Sequence, residues 1–209
     1  MKISGGLSEE GVISGNVFDK YGSRNPIVRA LMAGFQLSLS RFVEVAAPHS
    51  IHEIGCGEGY WVNKWKSSGF DARGSDVSEE IIRMATSNAA NLGLSPDHLS
   101  VKSIYDLDPL QDSANLVVCC EVLEHLEDPA AALKKLHSIT ERDIILSVPR
   151  EPLWRILNLA RGKYLLDLGN TPGHIQNWSK TEFTNLVEDF FQIQAVSSPT
   201  PWTMIHGKK

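Results

Sequence analysis

The chain has 209 residues, of which 42% are hydrophobic and 22% charged, so one folded domain is expected and a disordered chain, a collagen and a coiled coil are excluded. Its net charge of −5 at pH 7 disfavours a general nucleic-acid-binding protein, which is normally basic. Three cysteines do not make a disulfide framework, and since neither a signal-peptide pattern nor an apolar run of membrane-spanning length is found, a cytoplasmic protein is expected.

The first half of the chain alternates helical and extended patterns. Residues 1–16 are rich in Gly and Ser and are interpreted as a loose lead-in. Apolar residues at three- and four-residue steps after Pro26 predict an amphipathic helix, and Ser78 is placed to cap another. The predicted elements are a helix over 26–45, a strand over 50–54, a helix over 60–67, a strand over 70–75, a helix over 79–92 and a strand over 99–104.

The second half continues the alternation. Residues 116–120 form an uninterrupted apolar run, which is typical of a central parallel strand covered on both faces. Strands that alternate with helices predict an α/β domain with a mainly parallel sheet. The predicted elements are strands over 116–120 and 143–148, a helix over 129–139, an amphipathic and partly basic segment over 151–168, a helix to about 190 capped by Ser179 or Thr181, and a closing hairpin of strands over 192–196 and 202–206.

A glycine-rich segment, Glu53-Ile54-Gly55-Cys56-Gly57-Glu58-Gly59, follows the first strand of the sheet and precedes a helix. Its glycines permit close approach of the backbone to a ligand. The dinucleotide fingerprint would need a further glycine at position 60, which is Tyr60. Acids flank the loop, so a ligand with an ammonium and a sulfonium fits better than one with two phosphates. Asp76, at the end of the next strand, can accept both hydroxyls of a ribose.

Together with residues 120–129, which read CEVLEHLEDP, these features resemble the class I S-adenosylmethionine-dependent methyltransferases. The resemblance runs from Glu53 to the end of the chain. It implies a three-layer, Rossmann-like fold with a seven-stranded sheet of order 3-2-1-4-5-7-6, the seventh strand antiparallel. It also implies S-adenosylmethionine as cofactor, held by Glu53, Gly55, Cys56, Gly57, Gly59, Asp76, Val77, Ile104, Tyr105 and Glu121.

One position departs from that pattern. Many relatives carry an Asp after the third strand to hold the adenine amino group, and the aligned residue here is Ile104. Adenine is therefore expected to rest on backbone groups and apolar packing, with Asp106 as a weaker candidate.

Glu121, Glu124 and His125 have the spacing i, i+3, i+4, which puts them on one face if the turn after the fourth strand is helical. Two carboxylates and an imidazole can hold a divalent ion such as Mg, Mn, Fe or Zn. The pattern resembles the metal-dependent branch of the superfamily, with its small-RNA 3′-terminal 2′-O-methyltransferases and ubiquinone-pathway O-methyltransferases. There a distal histidine completes the site, and the candidate here is His174.

Metal-free relatives share the same short motif, so a second interpretation stays open. In it Glu121 contacts the methionine part of the cofactor, His125 packs against the loop, and His174 or His125 acts as a general base. In the metal-dependent interpretation the ion gathers the substrate oxygens and lowers the pKa of the hydroxyl.

The segment 150–178 is expected to cover the substrate. From Arg150 to Lys163 it carries four basic residues and one acid, a local +3. Its arginines either bind a phosphate or carboxylate of the acceptor or are solvated and paired with nearby acids. Its apolar residues make a packed lid or, less favoured, a surface for membrane lipid or an amphiphilic acceptor.

The candidate substrate residues are Tyr21, Arg24, Arg150, Trp154, Arg155, Tyr164 and Trp178. An aromatic wall around the substrate or the sulfonium could be formed by Tyr21, Tyr105, Tyr164 and Trp178.

The expected organisation is one methyltransferase domain over 1–209, with a lead-in and cap helix over 1–48, a cofactor-binding core over 49–149, the substrate-side insert over 150–178 and a helix and hairpin over 179–209. The expected function is O-methylation of a small, anionic or amphiphilic hydroxyl compound, with or without a metal, by a monomer or homodimer. The alternatives are a metal-independent N- or C-methyltransferase, a non-catalytic cofactor-binding module and, disfavoured by Tyr60, a nicotinamide-dependent oxidoreductase.

Overall fold

A seven-stranded mixed sheet organises the chain in this computed structural model, which describes residues 1–9, 12–15 and 19–209. The strands are β1 (Leu7–Glu9), β2 (Val12–Ser14), β3 (Ser50–Ile54), β4 (Asp71–Asp76), β5 (Leu99–Val101), β6 (Ala114–Cys120), β7 (Thr140–Pro149), β8 (Gln192–Ser197) and β9 (Trp202–Lys208). The helices are α1 (Pro26–Ala46), α2 (Tyr60–Ser67), α3 (Glu79–Asn91), α4 (Pro109–Asp112), α5 (Pro129–Ile139), α6 (Leu153–Ala160) and α7 (Lys180–Glu188).

The order of strands across the large sheet is β5-β4-β3-β6-β7-β9-β8. β9 runs antiparallel to both of its neighbours, β7 and β8, whereas the pairs among β3, β4, β5, β6 and β7 are parallel. Numbered within this sheet alone, the order is 3-2-1-4-5-7-6 with the seventh strand antiparallel. The predicted topology is therefore confirmed.

The helix boundaries follow from capping residues. Asn25 caps α1, since its Oδ1 accepts a hydrogen bond from the Ile27 backbone N–H at 2.9 Å, and a proline occupies the first helical position. Ser78 caps α3 through the Ile81 N–H at 3.2 Å, as predicted. Of the two candidates for α7, Ser179 is the cap, and Glu182 returns a hydrogen bond to its backbone in a capping box.

Two apolar layers cover the two faces of the sheet. One layer includes residues of α1 and α2, such as Leu39 and Trp61, and the other includes residues of α5 and α7, such as Leu133 and Phe183. Residues of β6 alternate between the two layers, and the strand is buried except at its last residue. The apolar run at 116–120 is therefore the central strand that the sequence predicted.

The start of the chain is not a loose lead-in where the structure describes it. Lys2 N donates to Asn88 Oδ1 at 2.8 Å, and Asn88 Nδ2 returns a hydrogen bond to Lys2 O at 3.0 Å. Ser4 N and Oγ both donate to Glu58 Oε1. Because Asn88 and Glu58 are buried polar side chains that need partners, they fix this segment, and β1 and β2 then pair as an antiparallel ladder. Residues 10, 11 and 16 lie outside the described residues.

Between β4 and β6 the structure differs from the sequence-based prediction in two places. The third strand of the sheet, β5, ends at Val101 rather than near residue 104, because Ser103 Oγ accepts a hydrogen bond from Tyr105 N at 3.2 Å and starts a single 3-10 turn. Asp108 likewise caps the short helix α4, which the sequence did not predict. Among the described residues, no helix has the length and apolarity to cross a bilayer.

Candidate functional site

The glycine loop joins β3 to α2 at the carboxyl edge of the sheet. Its first glycine, Gly55, has a φ of 72°, and a Cβ built there would lie 2.2 Å from Val122 Cγ2. A side chain at this position would therefore collide with the segment that follows β6. Cys56 is a buried filler whose Sγ lies 3.0 Å from the point where a Gly74 Cβ would stand. Gly59 is the N-cap of α2.

Gly57 and Asp76 form the outer rim of the same loop. A Cβ built on Gly57 would meet no described atom within 4 Å, so its backbone faces open space where a ligand can approach. Gly57 N donates to Asp76 Oδ2 at 3.0 Å, and Ser78 N donates to Asp76 Oδ1 at 3.1 Å. Each oxygen keeps capacity for one more donor, as two ribose hydroxyls require. Val77 is exposed beside it.

Buried acids give the site its electrostatic character. Glu53 Oε2 accepts a hydrogen bond from Val62 N at 2.8 Å, yet burial raises the pKa of this carboxyl from 4.5 to about 8. The positive charge of Lys20 acts in the other direction and lowers the pKa values of Glu53, Glu121 and Glu124. Because burial disfavours the ionised form of these carboxyls, a cationic ligand that restores their charge is favoured in this pocket.

The turn after β5 lies at the same edge as the glycine loop. Ile104 is buried in the apolar layer that also contains Ile54 and Val117. Tyr105 is partly exposed, and its hydroxyl donates to Asp128 O at 3.2 Å. Ile104 thus offers packing rather than a carboxylate, as its residue type indicates, and Asp106 is exposed.

Three ligand-type side chains converge beyond the end of β6. One ligand atom from each of Glu124, His125 and His174 lies within 4.8 Å of the other two. His125 Nδ1 is 2.9 Å from Gly173 O, and because a carbonyl only accepts, Nδ1 carries the proton and Nε2 stays free. Glu124 is 2% exposed, and neither of its carboxylate oxygens has a hydrogen-bond partner within the described part of the chain.

The loop that carries His174 is fixed to this turn by its backbone. Glu124 O accepts hydrogen bonds from both Ile175 N and Gln176 N at 3.0 Å. Asn170 Nδ2 donates to His174 O at 3.0 Å. The Trp154 ring of α6 stacks on the His174 ring, with centroids 5.9 Å apart. The distal histidine that the sequence suggested therefore does meet Glu124 and His125.

Burial sets the protonation states of this cluster. It lowers the pKa of His174 to about 4, with a smaller contribution from His125, and it lowers the pKa of His125 as well. Burial also raises the pKa of Glu124 well above its ordinary value, and the nearby Glu121 adds to this rise. Both imidazoles are therefore neutral at neutral pH, which is the form that binds metals. The same low pKa makes His174 a weak general base.

The expectation that Glu121 shares one helical face with Glu124 and His125 is wrong. Glu121 has a φ of 61°, in the left-handed region, so the 3-10 turn begins after it and covers Leu123–His125. Its carboxylate turns instead to the sheet, where Ser147 Oγ donates to Oε1 at 3.0 Å and Trp202 Nε1 donates to Oε2 at 2.6 Å. Burial raises its pKa to about 7.

Of the candidate substrate residues, those in the insert serve mainly its own structure. Arg155 Nε lies 4.0 Å from Glu151 Oε1, which is the local pairing that the sequence left open. Trp154 Nε1 donates to Thr171 Oγ1 at 2.8 Å. Tyr164 O accepts a hydrogen bond from Gly169 N at 2.8 Å within a turn.

The remaining substrate candidates lie at the two ends of the insert or outside it. Tyr21 stacks on Tyr60 with ring centroids 3.6 Å apart, and its hydroxyl accepts a hydrogen bond from Trp61 Nε1 at 3.1 Å. Trp178 packs on Phe183 of α7, and the backbone of Arg150 bridges to that of Trp178. Arg24 is exposed just before α1. No ring contact joins Tyr21, Tyr105, Tyr164 and Trp178 in the part of the chain that the structure describes, so they do not form one wall.

Three residues of the site carried no motif. Lys20, Ser147 and Trp202 reach the acidic pocket only through the tertiary fold. The predicted closing hairpin placed Trp202 at the start of a strand, but nothing in the sequence identified the indole as a partner of an acid.

A methyltransferase-domain family model matches residues 32–190. The chain is 22% identical over 125 residues to the ubiquinone biosynthesis O-methyltransferase of Pseudomonas aeruginosa (strain UCBPP-PA14), an alignment covering 58% of this chain and 54% of that protein. The chain thus spans about half the length of this relative.

Solved structures give the same fold. Magnesium protoporphyrin IX methyltransferase from Synechocystis PCC 6803 with bound SAH superposes with a TM-score of 0.68 and 19% identity, covering 90% of this chain and 89% of that one. The methyltransferase domain of bacterial CtHen1 gives a TM-score of 0.65 at 19% identity, with 86% and 100% covered. With a family model matched over most of its length, the chain belongs to the methyltransferase-domain family, and it shares its fold with solved methyltransferases that contain bound SAH or SAM.

Proposed function

We propose that this methyltransferase transfers the methyl group of S-adenosylmethionine to a hydroxyl of a small molecule. In this proposal Glu124, His125 and His174 hold a divalent metal ion that assists the transfer. The observation that carries the proposal is the convergence of the three ligand atoms within 4.8 Å. The similarity to a ubiquinone biosynthesis O-methyltransferase supports an oxygen acceptor.

The donor set fits a divalent ion on physical grounds. Glu124 is a buried carboxylate whose oxygens have no partner among the described residues, and such a group normally finds a hydrogen bond or a cation. His125 presents Nε2 because Gly173 O holds the proton on Nδ1. An ion bound here would draw the substrate oxygens together and lower the pKa of the hydroxyl.

The residues of the chain have separable roles in this scheme. Glu53 and Gly57 line the methionine side of the cofactor pocket, and Asp76 lines the ribose side. The Gly57 backbone faces the open space of the pocket, so none of the described residues blocks the ligand there. Stacking of Trp154 on His174 holds the imidazole beside Glu124. Most of the rate would come from alignment of the hydroxyl, the methyl group and the leaving sulfur.

The insert supports an amphiphilic acceptor. Leu166 is 99% exposed, and Leu165, Leu168 and Ile156 are exposed with it on the segment that leads to His174. Arg161 and Lys163 are exposed beside them, so the surface combines apolar and basic groups. Such a surface suits a compound with an apolar body and an anionic group. Trp154, by contrast, lies inside the insert, where its Nε1 donates to Thr171 Oγ1.

The test follows labelled methyl transfer from S-adenosylmethionine to pools of hydroxyl compounds, after chelation and after addition of Mg²⁺, Mn²⁺, Fe²⁺ or Zn²⁺. Binding of each ion alone is measured by calorimetry. Glu124→Gln and His174→Ala should lose both ion binding and metal-dependent transfer. His49→Ala is the matched control, since His49 is exposed and lies 3.9 Å from Glu141.

Transfer that survives exhaustive chelation and is not raised by any of the four ions would overturn the metal assignment. Label recovered on nitrogen or carbon would favour a metal-independent N- or C-methyltransferase instead. Binding of S-adenosylmethionine without transfer to any pool would favour a cofactor-binding module.

A further inference from the structure

The backbone of Glu121 has an unusual conformation. Its φ of 61° lies in the left-handed region, which residues with a Cβ seldom adopt. Glu121 N donates to Ser147 O at 3.0 Å, so the neighbouring strand fixes the backbone at this point. Residues held in such conformations persist when the surrounding structure over-determines them, and they cluster at functional sites.

Two side chains from different strands hold the Glu121 carboxylate. Ser147, on β7, donates to one oxygen at 3.0 Å, and Trp202, the first residue of β9, donates to the other at 2.6 Å. Both donors are buried. The carboxylate therefore cannot rotate without losing a hydrogen bond, and a donor to a charged acceptor makes a strong one.

The held carboxylate lies beside the cofactor loop. Val122, the next residue, stands so close to Gly55 that a Cβ on Gly55 would come within 2.2 Å of its Cγ2. β6 and β3 are neighbouring strands, and both end at this edge of the sheet.

Trp202 also contacts the helices that cover the site. Its ring meets Phe35 of α1 edge-on, with centroids 5.1 Å apart, and Trp154 of α6 at 6.1 Å. Trp154 in turn stacks on His174. The indole thus joins both covering helices to the Glu121 carboxylate.

We propose that Trp202 is a positioning residue for methyl transfer, which together with Ser147 holds the Glu121 carboxylate against the charged sulfur of S-adenosylmethionine. Trp202 itself is not a catalytic residue, because it acts through Glu121. The sulfonium of S-adenosylmethionine carries a positive charge that the sulfur of S-adenosylhomocysteine lacks. We call the two hydrogen bonds from Ser147 and Trp202 to Glu121 the clamp. The clamp should therefore strengthen binding of S-adenosylmethionine more than binding of S-adenosylhomocysteine.

Calorimetry with both ligands tests this on the full chain. Trp202→Phe keeps an aromatic ring against Phe35 and Trp154 but removes the N–H donor. We expect it to weaken binding of S-adenosylmethionine about tenfold, the usual size of one hydrogen bond to a charged group, and binding of S-adenosylhomocysteine less than threefold. Ser147→Ala should act in the same direction. In a Glu121→Ala background, Trp202→Phe should change neither affinity by more than twofold.

The control is Trp65→Phe, which removes a buried indole of α2 that stacks on Trp61. It should leave both affinities unchanged. Equal losses for the two ligands, no loss in Trp202→Phe, or an undiminished loss in the Glu121→Ala background would each overturn the proposal. A second arm does not depend on the indole: Glu121→Gly should unfold at a higher temperature than Glu121→Ala, because glycine accepts a φ of 61° without strain. If Glu121→Ala unfolds at the higher temperature instead, the backbone at this position is not strained and the proposal loses that support.

Discussion

Glu53 should release a proton when S-adenosylmethionine binds. Burial raises the pKa of this carboxyl from 4.5 to about 8 in the ligand-free chain. At about 1.4 kcal/mol for each pH unit, ionising Glu53 in the folded protein costs about 5 kcal/mol more than in water. The ammonium of the cofactor's methionine part would supply the opposite charge that offsets this cost.

The size of the effect follows from the titration. With a pKa of about 8, Glu53 is about nine-tenths protonated at pH 7, so binding at that pH should release about 0.9 proton from this residue. Because the ionised form binds, affinity should rise about tenfold between pH 7 and pH 9 and fall about tenfold between pH 7 and pH 6. The effect of Glu53 on folding stability has the opposite sign. Because its pKa is higher in the folded state than in the unfolded state, its contribution to the free energy of unfolding falls as the pH rises from 4.5 to about 8.

Calorimetry at pH 7 in two buffers of different ionisation enthalpy measures the released protons. Glu53→Gln keeps an oxygen for the Val62 N–H and should remove the release assigned to this residue. 5′-Methylthioadenosine, which lacks the amino-acid part of the cofactor, is the matched ligand control and should cause no release from Glu53. Equal proton release by the wild type and Glu53→Gln would refute the reasoning.

Three further predictions concern the architecture that supports the site. Gly55→Ala adds a Cβ at a φ of 72° and 2.2 Å from Val122 Cγ2, and it should lower the free energy of unfolding in urea by about 1–3 kcal/mol; if Val122→Ala restores none of this, the clash is not the cause. Phe183 is fully buried, and Phe183→Ala should cost about 3–5 kcal/mol in the same assay with little change in the denaturant slope; a loss under 1 kcal/mol would contradict its place in the core. Asn88→Ala removes the hydrogen bonds to Lys2, so the Lys2 amide should exchange with solvent faster while the core amides do not; unchanged exchange would show that the start of the chain is held by other contacts.

Local signals were sufficient for the sheet and the glycine loop. The loop at Gly55 and Gly57 was predictable because a strand, a run of glycines and a helix follow one another within a few residues, and each signal agrees with the next. The central strand β6 was predictable because burial on both faces requires apolar residues at every position. In these segments the local sequence and the tertiary structure favour the same conformation.

The features that could not be predicted from the sequence have a common physical cause. The left-handed backbone of Glu121 is stabilised by Ser147 and Trp202, which are 26 and 81 residues away in sequence. The lead-in is ordered by Asn88, 86 residues from Lys2. No periodicity within a short window records such partners. His174 was identified through resemblance, and its approach to Glu124 depends on backbone hydrogen bonds that residue types do not encode.

The position of β9 has a consequence for folding kinetics. β9 lies between β7 and β8, so β8, which precedes it in the chain, joins the sheet only through β9. Trp202 opens β9, and its indole reaches Glu121 across the sheet. Contacts between residues so distant in sequence form late, because closing long loops costs entropy before the contacts form. We therefore expect the parallel pairs β3–β4 and β6–β7, whose partners are close in sequence, to become protected early in refolding, and the acidic pocket to be completed only in the final phase.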